Sequence, residues 1–157
     1  MTAYLLPLTT TDDEQDRNAS VALLPVGSFE QHGSFLPLAT DTVIACTIAR
    51  EIAAVHPVML LPPVTVSCSH EHAAWPGTVS ISAVTLYAVV RDIAESLRRS
   101  GIAKLVLVNG HGGNYVLGNV VQEAGGDMAL FPTEPDWEAA RSGGGAGEPG
   151  RRRHARR

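Results

Sequence analysis

Two short segments carry residue types suited to holding metal ions and cutting a bond: Gly27-Ser28-Phe29-Glu30-Gln31-His32-Gly33 and Asn109-Gly110-His111-Gly112-Gly113-Asn114. Each follows an apolar, strand-like run, and between them lies Asp41, eleven residues past Glu30. Glu30, His32, Asp41 and His111 make up the mixed oxygen and imidazole set that borderline divalent cations prefer. Glu30 and His32 are separated by one residue, so in an extended segment they project from one face and reach the same ion. Asp41 offers two oxygens and could bridge two ions, which would share the activation of water and the polarisation of a scissile carbonyl. The implied chemistry is metal-assisted hydrolysis.

Neither motif decides this alone. A Glu-x-His pair is common on surfaces, and the glycines around His111, which permit left-handed backbone and close approach, serve a tight strand-to-helix turn capped by Asn109 or Asn114 equally well. Their joint occurrence with Asp41 favours the metal reading. A third polar cluster, Ser69-His70-Glu71-His72, has two readings: His70 and His72 as ligands or proton carriers, or the whole as a surface loop. Within it, Glu71 and His72 are the candidate catalytic groups for proton transfer to a departing nitrogen. Trp75, in a Trp-Pro-Gly turn, either walls a pocket or packs. Ser28 lacks the G-x-S-x-G elbow of serine hydrolases. Cys68 beside Ser69 and His70 matches no thiol-nucleophile pattern.

The elements that must position these residues alternate. Residues 11–18 are polar and read as loop. Val21–Val26 is continuously apolar, as a strand covered on both faces would be. Residues 43–55 read as a helix with Asp41 or Thr42 at its N-cap. Val58–Leu61 is a second strand stopped by Pro62-Pro63, and Val64–Val66 a candidate third. Leu86, Val89, Val90, Ile93 and Leu97 recur at helical spacing, and Gly101 ends that helix. Lys104–Val108 is a buried strand, Tyr115–Ala124 a helix stopped by Gly125-Gly126, and Met128–Phe131 a last strand. Such alternation predicts a parallel α/β sheet.

The chain has 157 residues, 45% of them hydrophobic, which suits one compact core. The net charge of −4 hides an asymmetry: five arginines lie in 151–157, leaving seven basic against sixteen acidic residues in 1–150, or −9. An acidic body argues against nucleic acid as partner. Cys46 and Cys68 lack C-x-x-C spacing, Cys46 falls in a helical apolar pattern, and no disulfide is expected. The first residues have no basic n-region and no apolar run approaches a bilayer span, so a soluble cytoplasmic protein with no membrane partner is expected. Past Trp137 the pattern fails. The expected organisation is a hydrolase domain over 1–140 and a disordered Gly/Arg-rich tail over 141–157.

Leu24-Pro-Val-Gly-Ser-Phe-Glu-Gln-His-Gly33, Leu36-Pro37-Leu38 with Thr40-Asp41, Ser69-His-Glu-His72 with Pro76-Gly-Thr78, and Val108-Asn-Gly-His-Gly-Gly-Asn114 stand in an order that resembles the creatininase family of metal hydrolases, over residues 20–131. The resemblance implies a three-layer α/β/α sandwich with a mostly parallel sheet, a hexameric homo-oligomer, and two divalent metal ions of zinc, manganese or iron. Carried over, Glu30 and His111 hold one ion, His32 the other, and Asp41 bridges. The implied substrates are small or terminal amides: creatinine, a formamidopyrimidine of deazaflavin synthesis, or the end of the mycofactocin precursor peptide. Three departures qualify the match. Phe35 stands where many members have histidine, Gly113 where creatininase proper has a ligating glutamate, and only Ala146-Gly147-Glu148 echoes the family's later H-A-G-E block. The chain is thus expected to be truncated or frame-shifted near residue 142. The leading reading is a metal-dependent amidohydrolase; the alternative is an inactive metal- or ligand-binding remnant of that fold.

Overall fold

The computed structural model describes residues 5–143. The chain runs α1 (Thr11–Arg17), β1 (Val21–Val26), α2 (Thr40–Val55), β2 (Met59–Leu60), a single 3-10 turn (His70–His72), α3 (Ala83–Arg99), β3 (Lys104–Asn109), α4 (Val116–Glu123), β4 (Met128–Phe131) and α5 (Glu134–Gly143). The strands form one parallel sheet in the order β2-β1-β3-β4.

Alternation along the two central strands decides the layering. Ala22, Leu24 and Val26 of β1 and Leu105 and Leu107 of β3 turn to one side, where they pack with Leu86, Val90 and Leu97 of α3 and Leu117 and Val120 of α4. Leu23 and Val108 turn to the other, against Ile48, Ala49 and Ile52 of α2. Successive strand residues point to opposite faces, so a continuously apolar strand requires a helical layer on each. The result is the expected three-layer α/β/α sandwich.

From β1 the chain moves outward to β2 through α2; it then crosses to β3 and continues to β4 through α3 and α4. The direction of travel reverses between β1 and β3, and such a reversal opens a crevice at the carboxyl ends of the strands. Both polar motifs leave the sheet there. Gly27 and Gly110, just past the ends of β1 and β3, let the first turn of α2 close over that crevice. A Cβ on Gly27 would fall inside 3.0 Å of the Thr42 backbone, and one on Gly110 inside 3.0 Å of Asp41 O.

Several local expectations change. Residues 11–18, read as loop, fold as α1. Thr10 Oγ1 accepts from Asp13 N (3.2 Å), Asp13 Oδ2 accepts from Thr10 N (2.7 Å), and Asn18 closes the helix in left-handed conformation. This capping box and the acidic first turn stabilise a helix that buries no residue and so shows no apolar period. α2 starts at Thr40 with Ala39 at its N-cap and no side-chain cap, so Asp41 and Thr42 lie inside the first turn, both buried. The expected third strand reduces to one bridge, Val64 to Val26. α5 extends through Gly143 and crosses the boundary expected at residue 140; Thr133 caps it through Asp136 Oδ2 (2.6 Å). Residues 144–157 of the expected tail, Glu148 among them, lie outside the described residues. Cys46 and Cys68 are free and buried. No described helix is long and apolar enough to cross a membrane.

Gly27→Ala and Gly110→Ala are each expected to cost about 2–3 kcal/mol, because the new methyl meets backbone that cannot rotate away. Gly118 lies inside α4 with open space at its Cβ position, and Gly118→Ala is expected to stabilise by roughly 0.5–1 kcal/mol. Urea denaturation midpoints of the three variants check the contrast.

Candidate metal centre

Asn109, the last residue of β3, shapes the turn after it. Its Nδ2 donates to His111 O (2.8 Å) and its Oδ1 accepts from His111 N (3.3 Å). Asn114 closes the loop: its Nδ2 donates to Asn109 Oδ1 (3.0 Å) and its Oδ1 accepts from Cys68 N (3.2 Å). The turn reading of this motif holds, and it leaves His111 free to serve the site. The asparagines brace the turn, and the turn holds His111 buried among carboxylates.

His111 Nε2 faces three acceptors, Cys68 O (2.8 Å), Glu30 Oε2 (3.1 Å) and Glu71 Oε1 (3.2 Å), while Nδ1 lies 3.1 Å from Asp41 Oδ2. Asp41 also reaches the other imidazole, with Oδ1 2.9 Å from His32 Nε2, and Ser28 Oγ donates to its Oδ2 (2.6 Å). His32 Nδ1 lies 3.1 Å from Glu30 O, a carbonyl that can only accept. Nδ1 therefore carries the hydrogen of the neutral ring, and the Nε2 lone pair is turned toward a carboxylate. Glu30, 4% exposed, has an Oε2 with no hydrogen-bond partner. Buried carboxylate oxygens crowded against ring nitrogens favour positive charge among them, carried by a proton or a metal ion. The four donors expected from the sequence, Glu30, His32, Asp41 and His111, converge on this one crevice. Two overlapping sets are close enough to hold an ion: Glu30, His32 and Asp41, and Glu30, Glu71 and His111. Glu30 is common to both.

The electrostatics agree. Burial works against a charged His111, but the Asp41 hydrogen bond and the charges of Glu30 and Asp41 outweigh it and raise its pKa above the ordinary histidine value. Burial also disfavours the Asp41 carboxylate, yet hydrogen bonds from His111 and Ser28 and the charge of His32 lower its pKa.

The Ser69–His72 cluster divides. His70 turns to Ser80 Oγ (2.9 Å) on the surface. Glu71 and His72 face the site. Gly33 N donates to Gln31 Oε1 (3.0 Å), which leaves the Gln31 amide nitrogen to donate to His72 Nδ1 (3.0 Å). The neutral ring then carries its hydrogen on Nε2, 3.5 Å from Glu30 Oε1. Beside His111 opens a cavity of about 370 Å³ walled by Gly110, Tyr115, Leu130, Pro132 and Trp137. Trp137, not Trp75, is the pocket tryptophan; Trp75 and Phe35 are exposed, Phe35 at 98%. Sequence reasoning missed the roles of Ser28 and Gln31, whose only signal was membership of the first motif, and of Trp137, which lay in a segment without periodicity.

A three-layer parallel α/β/α fold with a carboxylate and imidazole cluster at its switch point defines a metal-binding α/β protein. Within that class the chain belongs to the creatininase family, whose model, described as creatinine amidohydrolase, matches residues 8–156. It is 38% identical over 112 residues to the mycofactocin precursor peptide peptidase of Mycolicibacterium smegmatis, covering 68% of this chain and 45% of that protein. It is 31% identical over 96 residues to the creatinine amidohydrolase of Pseudomonas putida, covering 58% of this chain and 37% of that one. A solved structure titled creatininase Mn superposes with a TM-score of 0.70 at 25% identity, over 79% of this chain and 55% of the other. The chain spans about half the length of the curated relatives it matches.

Ser28 orients Asp41 without facing an ion itself. Ser28→Ala is expected to weaken zinc or manganese binding about 10–100-fold, measured by calorimetric titration, while the fold is retained by circular dichroism.

Proposed function

We propose that this chain hydrolyses a C–N bond in a small or terminal amide, using two divalent ions held by Glu30, His32, Asp41 and His111. The observation that carries the reading is the buried Glu30 carboxylate, whose Oε2 lacks a hydrogen-bond partner and points at His111 Nε2. Glu30 and His111 would hold one ion and His32 the other, with Asp41 reaching both. Bound there, zinc, manganese or iron would lower the pKa of a water molecule and polarise an amide carbonyl.

The chain's own groups supply the rest. Ser28 holds Asp41 in place. Glu71 and His72 are the candidates for protonating the departing nitrogen, and the Gln31 contact favours His72, because it leaves the proton on the nitrogen that faces the site. The cavity beside His111 has a volume suited to a small molecule. Similarity to a creatinine amidohydrolase and a precursor-peptide peptidase supports amide cleavage of the creatinine, formamidopyrimidine or mycofactocin-precursor type. We further propose a cytoplasmic homo-oligomer that binds neither nucleic acid nor membrane, in keeping with the balance of −9 over residues 1–150.

Elemental analysis of the purified chain should find about two equivalents of zinc or manganese, removable by chelator, with amide turnover on those three substrate types. His111→Ala and Asp41→Ala should lose metal. His72→Ala should keep it and lower kcat by about 10²–10⁴. Metal without turnover on any of the substrates would favour the inactive remnant, and unchanged metal content in both ligand variants would refute the site.

A further inference from the structure

We infer that Glu71 is a metal ligand on the His111 side of the centre, occupying space that Gly113 leaves vacant. This rests on the metal reading above and adds a donor to it. Glu71 Oε1 lies 3.2 Å from His111 Nε2, and the donor atoms of Glu30, Glu71 and His111 lie within 4.8 Å of one another. The orphaned, buried Glu30 Oε2 is aimed into the same space, 3.1 Å from the same nitrogen. The Glu71 side chain is 47% exposed, so open water is available to it. It nevertheless turns inward, to His111 Nε2 and to within 4.8 Å of the Glu30 carboxylate. Like charges at such range repel, and a cation among them reverses the sign of the interaction.

Gly113 provides the second line of argument. It is not among the glycines with positive φ, so the backbone there would accept any L-residue. A Cβ at this position would nonetheless fall inside 3.0 Å of both Glu71 Oε1 and His111 Nε2, and 3.0 Å from Cys68 O. What excludes a side chain at 113 is therefore the site itself, both the Glu71 carboxylate and the His111 ring. A side chain at 113 and an inward Glu71 are mutually exclusive. His111 is buried and braced and Glu71 sits on a short exposed turn, and a glycine at 113 leaves room for both.

The test is the metal stoichiometry of three forms of the full chain, read by calorimetric titration with zinc and with manganese, with thermal melts confirming that each is folded. Glu71→Gln removes the charge at constant shape. Glu71→Ala removes the carboxylate altogether. Both variants are expected to lose one of about two equivalents while the ion at His32 and Asp41 is retained. Two ions bound with unchanged affinity in both variants would overturn the role of Glu71 and leave the proposed function standing. A wild-type chain that takes up no metal would sink the proposed function, and this inference with it.

Discussion

The close packing of the first turn of α2 against the ends of β1 and β3 is the constraint on which the site depends. It exists because Gly27 and Gly110 present no Cβ where Thr42 and Asp41 must pass. Its consequence is that the Asp41 carboxylate is buried at the point where the chain reverses direction across the sheet. A carboxylate taken out of water costs several kcal/mol unless it is paired and hydrogen-bonded. Ser28, His32 and His111 supply those partners, and the amino end of α2 adds a favourable dipole. Move α2 outward and the two motifs would no longer share a centre.

The charge balance of that centre favours positive charge among its carboxylates. Three carboxylates, Glu30, Asp41 and Glu71, meet three imidazoles, His32, His72 and His111. With neutral rings the cluster is negative, and only protonation of all three would balance it. The raised His111 pKa reflects the same crowding of carboxylates around the ring. Metal uptake would release such a proton, so binding and pH are linked through the same ring. The loop that carries His111 is tied down by Asn109 and Asn114 and has little freedom to relieve the imbalance by moving.

Much of this could be read before any coordinates. The apolar runs 21–26 and 104–108 specified buried strands, and the period from Leu86 to Leu97 specified α3, because strand and helix faces repeat at different intervals. The proposed donors were visible as residue types, with Glu30, His32 and His111 just past strands and Asp41 between the two motifs. Elements whose stability is local and polar were not. α1 rests on a capping box and buries nothing, and the polar Asp41 and Thr42 that resemble a helix cap lie instead inside α2, facing the site.

The sequence by itself determined which residue types could bind a cation and which strands would carry them, because both follow from chemistry and spacing along the chain. Only the tertiary structure decided which polar groups meet. His70 and His72 are two residues apart, yet one bonds to Ser80 at the surface and the other to Gln31 in the site. Trp137 walls the cavity while Trp75 stays exposed. Gly113, which local reading treats as turn chemistry, is required by a carboxylate forty-two positions earlier in the chain. The approach of distant segments is set by packing across the sheet, and a residue's position in the chain carries no direct record of it.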